Sequence, residues 1–283
     1  MVCGVSVVLD RCGIFRALNT NVPATNKSEF MASILLMGNP DAIWDVAEKL
    51  GEGHDLYTWV PDVTFESLPG LVQLENLEDA PENLDAVFVL TLHDDGELES
   101  CLSLLLEFAN PAHAPLFVNT LFLTATDVQS MVGELSPVVG ISVVPGLTNI
   151  DTLVEAAPAL QLSPEQADAA VASLSALLPG SVERVEDRIA LITARVLAMI
   201  INEAAFAVME GVASAEDIDT AMKLGTNYPK GPLAWADEIG ADVVVGILQA
   251  LTDEYGEERY RPCVLLKQYA RAGKTFYPET VIA

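Results

Sequence analysis

The chain has 283 residues, 41 of them Asp or Glu against 14 Lys or Arg, giving a net charge of −27 and a pI near 4.1. That length suits one large domain or two modest ones, and 51% hydrophobic residues supply ample core. The charge disfavours nucleic acid and anionic membranes as partners; no apolar run reaches the roughly 18 residues of a membrane span.

The acidic residues are spread along the chain (Glu75, Glu78, Asp168, Asp253, Glu257) rather than gathered into a tail, which separates it from acidic disorder. We read this as adaptation to a halophilic cytoplasm at molar salt, where a Debye length of about 3 Å screens self-repulsion; an ordinary acidic protein is the alternative. Cys3, Cys12, Cys101 and Cys263 lie scattered, without a CxxC pair or a histidine at ligand spacing. They read as free thiols in a reducing compartment, and no metal site is expected.

In chain order, GVSVVL near the start is too short for a secretory signal and is followed at once by charge. Met31 opens MASILLMGNP, which reads as a first strand, so residues 1 to 30 read as an appended, poorly ordered segment or an over-long start. From Ser33 to Glu155, short apolar runs alternate with helical stretches, the pattern of βαβ units in a parallel sheet. Strands are expected at SILLMG (33–38), DLYTWV (55–60), LVQLE (71–75), DAVFVLTL (85–92), PLFVNT (115–120), VVGISVV (138–144), TLVEAA (152–157) and VERVEDR (182–188). Helices fit 41–50, 95–108, 125–132 and the Ser-capped stretch 163–178.

From Ile189 to Ile201 apolar and small residues occupy every helix face, so a helix running to Glu210, about 22 residues and about 33 Å long, should be buried on most sides. Gly211 ends it. Ser214 and Asp217 read as a capping box, Gly225 as a stop, and Asn227, Tyr228, Pro229, Gly231 and Pro232 as a rigid turn. An ordinary helix, turn, helix unit accounts for most of these residues.

The identity of the run DRIALITARVLAMIINEAAFAVMEGVASAEDIDTAMKLGTNYPKGPLAWAD, Asp187 to Asp237, adds more: it resembles the helical domain of the 3-hydroxyacyl-CoA dehydrogenase family. GHDLYTW at the second strand and LFVNT at the fifth resemble the same family in outline. The resemblance implies an α/β fold: a Rossmann-like parallel sheet over 31–186, then an all-α 6-phosphogluconate-dehydrogenase-like domain over 187–283. It also implies a homodimer through the helical domain, acyl-CoA as substrate or ligand, NAD as cofactor, and interconversion of 3-hydroxyacyl-CoA and 3-oxoacyl-CoA in fatty acid or butanoate metabolism.

Residue by residue, the resemblance is incomplete. The family's GxGxxG turn falls on GNPDAI, where Pro40 and Ile43 replace the second and third glycines and Asp41 adds a carboxylate at the phosphate position. Asn39 as N-cap, Pro40 at the first helical position and Asp41 make a helix start that is already satisfied. If NAD binds, Gly38, Asp62 and Thr120 are the residues left to hold it; a scaffold without cofactor is favoured. The family's His and Glu pair becomes Glu155 with Val143 or, after a one-residue gap, Ser142, and neither register gives an imidazole. Glu155, Ser142 and Asn119 are the catalytic candidates. The family's serine maps to Leu121 or Phe122 and its asparagine to Ala194, leaving Arg195. Arg195, Tyr228 and Lys230 are the substrate candidates; Lys230, Arg259, Arg261, Lys267 and Arg271 either form an anion pocket or, more simply, balance an acidic surface. His93 is either a recruited base or, more simply, part of a solvated turn, and Asn202 is expected in a buried hydrogen-bond network across the dimer. Two classes of function remain: a dehydrogenase, or a non-catalytic relative.

Overall fold

A computed structural model describes residues 31–50, 53–60, 70–93, 95–109 and 113–278. The segment 1–30 and Asp62 lie outside these residues. Eight strands form one sheet: β1 (Ser33–Gly38), β2 (Asp55–Thr58), β3 (Leu71–Gln73), β4 (Ala86–Leu90), β5 (Leu116–Asn119), β6 (Val138–Ile141), β7 (Leu153–Pro158) and β8 (Ser181–Arg184), in the order β3-β2-β1-β4-β5-β6-β7-β8. Helices α1 (Pro40–Leu50), α2 (Asp95–Leu104), α3 (Ala125–Val132) and α4 (Pro164–Leu177) flank it, and α5 (Thr193–Met209), α6 (Ala215–Thr226), α7 (Pro232–Ile239), α8 (Ala241–Tyr255) and α9 (Val264–Ala272) build the helical part.

The central strands read as unbroken apolar runs because both faces are covered. In β1, Ile34 and Leu36 join one core cluster and Leu35 and Met37 the other, the two-residue period of a strand. Ala42, Ile43 and Val46 of α1 and Ala170 and Leu174 of α4 pack on the first face, and Leu98 and Leu102 of α2 and Val128 and Val132 of α3 on the second. The first core does not stop at the sheet. It runs through Val143, Val144 and Ile150 into Ala198, Ile201, Leu233, Ala236 and Ile247 of the helical part, so a single apolar body joins the two.

The structure departs from the expected elements in several places. β7 runs antiparallel to β6, with Ile141 opposite Ala156 and Val139 opposite Pro158, so the last two strands oppose the other six. The connection from Ser142 to Thr152 contains no helix, and a parallel crossover needs about a dozen or more residues. Helix α5 begins at Thr193 rather than Ile189, because Ala190 and Leu191 take positive φ (56° and 46°) and turn the chain to dock, with the Ala190 N–H on the Thr120 carbonyl at 2.7 Å. Nor is α5 buried on most sides: Ile192 just before it, and Val196 and Met209 within it, remain 46%, 48% and 41% exposed. Finally, α6 continues past Gly225 to Thr226 and is closed by Asn227 at φ 58°. At its start Ser214 accepts from the Asp217 N–H, but its hydroxyl donates to the Asp217 carboxylate, leaving the capping box half made.

Candidate functional site

In this fold class ligands sit at the carboxyl ends of the parallel strands, where β1 turns into α1. Gly38 makes that turn at φ +113°, and a Cβ there would lie 2.6 Å from the Leu90 carbonyl carbon. The next five backbone positions are spoken for. The Asn39 N–H donates to the Leu90 carbonyl at 2.9 Å; Pro40 has none; the Asp41 and Ala42 N–H groups donate to the Asn39 side-chain oxygen at 3.0 and 3.2 Å; the Ile43 N–H donates to the Asn39 carbonyl at 2.9 Å. A dinucleotide's pyrophosphate is held by free N–H donors at a helix start, so the residues present do not fit NAD in that pose. Asn39 is the expected N-cap.

The other candidates likewise serve the framework. Asn119, buried, donates to the carbonyls of Thr91 (3.3 Å) and Val143 (2.8 Å) and accepts from the Val143 N–H (2.8 Å), clamping the ends of β4, β5 and β6. Thr120, fully buried, packs its hydroxyl and methyl over Gly140, and its carbonyl receives the Ala190 N–H. Both are buried and engaged in these framework contacts.

Glu155 is buried on β7 and caps α5. Its Oε2 accepts from the Ile192 N–H (3.0 Å) and Thr193 N–H (3.2 Å), and its Oε1 from the Thr193 N–H (3.0 Å) and hydroxyl (2.6 Å). The glutamate expected to orient a base instead sits on a helix N-terminus, where the dipole favours an anion. The β6–β7 ladder ends at the Ile141–Ala156 pair, immediately before Ser142 on one strand and after Glu155 on the other. The Ser142 hydroxyl is buried and, among the described residues, has no hydrogen-bond partner. Val143 belongs to the core.

Phe122, at one of the two positions assigned to the family's serine, is nine-tenths buried and packs on Gly246 of α8, where a Cβ would come within 2.8 Å of its ring. A phenyl group therefore closes this part of the seam between sheet and helices. Gly246 offered no sequence signal, being one glycine inside a helix.

Three of the five candidate basic residues after Tyr228 are engaged separately. Lys230 pairs with Glu238, Arg259 with Glu257, and the Arg261 guanidinium lies 5.4 Å from the Phe206 ring centroid. Tyr228 packs on Trp235, 5.7 Å between ring centroids. Arg195 instead lines an open groove with Arg184, Val185, Glu186, Arg188 and Ile192. His93 is exposed, 3.6 Å from the Glu97 carboxylate, and no cluster of potential metal ligands occurs among the described residues. Asn202 is buried but works within the chain, accepting from the Cys263 N–H (2.7 Å) and donating to the Arg261 carbonyl (3.0 Å). Sequence reasoning missed Asp187 and Asp219. Asp187 caps α3 at the Ala125 and Thr126 N–H groups, both 2.8 Å, and Asp219 caps α7 at Leu233 and Ala234, both 2.9 Å.

Residues 191–277 match the model of the 3-hydroxyacyl-CoA dehydrogenase C-terminal domain. A 3-hydroxybutyryl-CoA dehydrogenase of Clostridioides difficile is 30% identical over 219 residues, 76% of this chain and 75% of that protein. The chain belongs to the 3-hydroxyacyl-CoA dehydrogenase family. Within the family, a 3-hydroxyadipyl-CoA dehydrogenase of Escherichia coli is 59% identical over 76 residues (27% of this chain), and a probable 3-hydroxybutyryl-CoA dehydrogenase of Bacillus subtilis is 39% identical over 163 residues (58% of this chain). The match spans only 16% of the first of these proteins and 56% of the second. The crystal structure of an (S)-3-hydroxybutyryl-CoA dehydrogenase from Ralstonia eutropha superposes with TM-score 0.69 at 21% identity, covering 89% of this chain and 100% of that one, which establishes the family fold. Among the described residues no helix is long and apolar enough to cross a membrane.

Proposed function

We propose that this chain is a member of the 3-hydroxyacyl-CoA dehydrogenase family that keeps the fold and has given up hydride transfer, acting as a dimeric, non-catalytic protein of acyl-CoA metabolism. In this reading residues 31–186 form a closed nucleotide-type domain and 187–283 the helical domain. The observation that carries it is the start of α1, where every N–H from Asn39 to Ile43 is bonded within the chain. The absence of an imidazole beside Glu155 supports it further: general acid and base catalysis contributes roughly 10²- to 10⁴-fold. The exposed apolar residues Val196 and Met209 support dimerisation along α5. The charge of −27 supports a cytoplasm at high salt.

An active dehydrogenase that converts 3-hydroxyacyl-CoA to 3-oxoacyl-CoA is the second reading. It is favoured by 30% identity across three quarters of a 3-hydroxybutyryl-CoA dehydrogenase. Calorimetry with NADH and with acetoacetyl-CoA in molar KCl, followed by turnover, separates the two. Acyl-CoA binding without NADH binding fits the first reading; NADH binding with measurable NADH oxidation refutes it.

A further inference from the structure

The groove lined by Arg184, Val185, Glu186, Arg188, Ile192 and Arg195 lies where β8 ends, the chain crosses to the helical part and α5 begins. We propose that it binds an anion bearing phosphate groups, at a site separate from the α1 N-terminus. Three guanidinium groups line one groove in a chain with only 14 lysines and arginines against 41 acidic residues, and one carboxylate, Glu186, lines it with them. Some cations elsewhere in the molecule are consumed locally, as Lys49 is by Asp151, Lys230 by Glu238 and Arg259 by Glu257. Among the described residues neither Arg188 nor Arg195 has a carboxylate within ion-pair distance. Arg184 pairs with Asp168 at 2.7 Å, but both side chains are mostly exposed (53% and 72%), so the pair exchanges readily for a better acceptor.

The groove is also held in shape. Arg188 donates through Nη1 to the Asp187 carbonyl at 2.7 Å, and the Asp187 carboxylate is fixed on the N-terminus of α3 by three hydrogen bonds of 2.7 to 2.8 Å. Arg195 stands on the first turn of α5, whose N-terminus Glu155 fastens to β7. Guanidinium forks on rigid mounts match the paired oxygens of phosphate, and Val185 with the half-exposed Ile192 offers an apolar wall for the rest of a ligand. The ligand is a free oligophosphate or the diphosphate of a nucleotide, and the two differ in their use of that wall.

The test is calorimetry of the full chain in molar KCl, where long-range attraction is screened, with inorganic pyrophosphate and with ADP as probes. Both are expected to bind, and Arg188→Gln and Arg195→Gln should each weaken binding about tenfold or more, while Arg259→Gln, outside the groove, leaves it unchanged. Equal affinities identify a free oligophosphate, and tighter ADP binding a nucleotide. No heat with either probe at dissociation constants up to about 1 mM overturns the proposal, as does binding that survives the double arginine variant in a chain with unchanged circular dichroism. If the same variants instead alter the oligomer mass and neither probe gives heat, the groove is a contact between copies and the proposal fails. NADH plays no part in these measurements, so their outcome is independent of the loss of hydride transfer.

Discussion

Removing Glu155 separates a structural from a catalytic glutamate. In the structure its two oxygens receive two backbone N–H groups and one hydroxyl at the start of α5, at 2.6 to 3.2 Å. Loss of an N-terminal cap costs about 1–2 kcal/mol, and a charge-assisted bond contributes about 1.5–3 kcal/mol where its donor is left without a substitute. Ile192 and Thr193 are exposed, so water replaces part of the loss, and the expected cost of Glu155→Ala is about 2–3 kcal/mol. For a protein of this size that lowers the melting temperature by about 5–10 °C. Glu155→Gln keeps one acceptor and should cost about 1 kcal/mol. Thermal unfolding followed by circular dichroism in molar KCl measures both. A Glu155→Ala chain that melts within about 1 °C of the parent, or a parent whose NADH oxidation disappears in Glu155→Gln at unchanged melting, would refute the reasoning.

Asp219→Ala removes the buried acceptor of the Leu233 and Ala234 N–H groups and of the Tyr277 hydroxyl at 3.0 Å, and should cost about 3–5 kcal/mol in denaturant unfolding; a loss below about 1 kcal/mol would count against the cap. Burial, with Asp219 next in effect, holds the Tyr277 phenol above its usual range. Because the folded state then keeps this proton more tightly, the associated stability is complete below about pH 10 and falls as pH rises through the folded value; Tyr277→Phe should abolish that dependence in melts across the alkaline range. Burial, and then Glu97, pushes the Cys101 thiol up to about 11, so at pH 8 its thiolate fraction is about two-hundred-fold below that of a free cysteine. Peptide-level alkylation should find it correspondingly slow, and a rate equal to that of glutathione would contradict this. Gly38→Ala forces a Cβ to 2.6 Å from the Leu90 carbonyl carbon at φ +113° and should destabilise by about 2–4 kcal/mol, measured by the same melts.

What could be read in the sequence follows the range of the interactions. SILLMG announces β1 because burial on both faces is written into six adjacent residues, and Asn39-Pro40-Asp41 announces the start of α1 because a cap acts over three. The direction of β7 leaves no such mark, since the same side chains serve a parallel or an antiparallel ladder. Ala190 and Leu191 hide the true start of α5, because residues with a Cβ rarely take positive φ and only tertiary docking holds them there. The site was legible as a set of substitutions but not as an arrangement. Glu155 finds its partners 37 and 38 residues away, and Phe122, in the bend after β5, finds its notch at Gly246 of α8. The same holds for the basic residues: Lys230, Arg259 and Arg261 each meet a nearby carboxylate or ring, while the arginines that share a groove come from a strand end, a crossing segment and a helix start.

The substitutions at the strand ends therefore support one another. A carboxylate offers about four lone-pair sites, and three donors, the Ile192 and Thr193 N–H groups and the Thr193 hydroxyl, already occupy both oxygens of Glu155, the Thr193 N–H being shared between them. That cap fixes the start of α5, the left-handed turn before it rests on the Thr120 carbonyl, and Thr120 lies over Gly140 of β6. Across the same seam Phe122 fills the notch at Gly246, and at the far side the α1 N–H groups are closed by Asn39. A histidine placed at Ser142 or Val143 would thus meet a glutamate already committed, a seam closed by a phenyl ring and a phosphate cradle without donors. Each obstacle is a stabilising contact in its own right, so a hydride-transfer site in the family's pose would require three joints of the fold to open at once, and that coupling is the physical content of the proposed loss of hydride transfer.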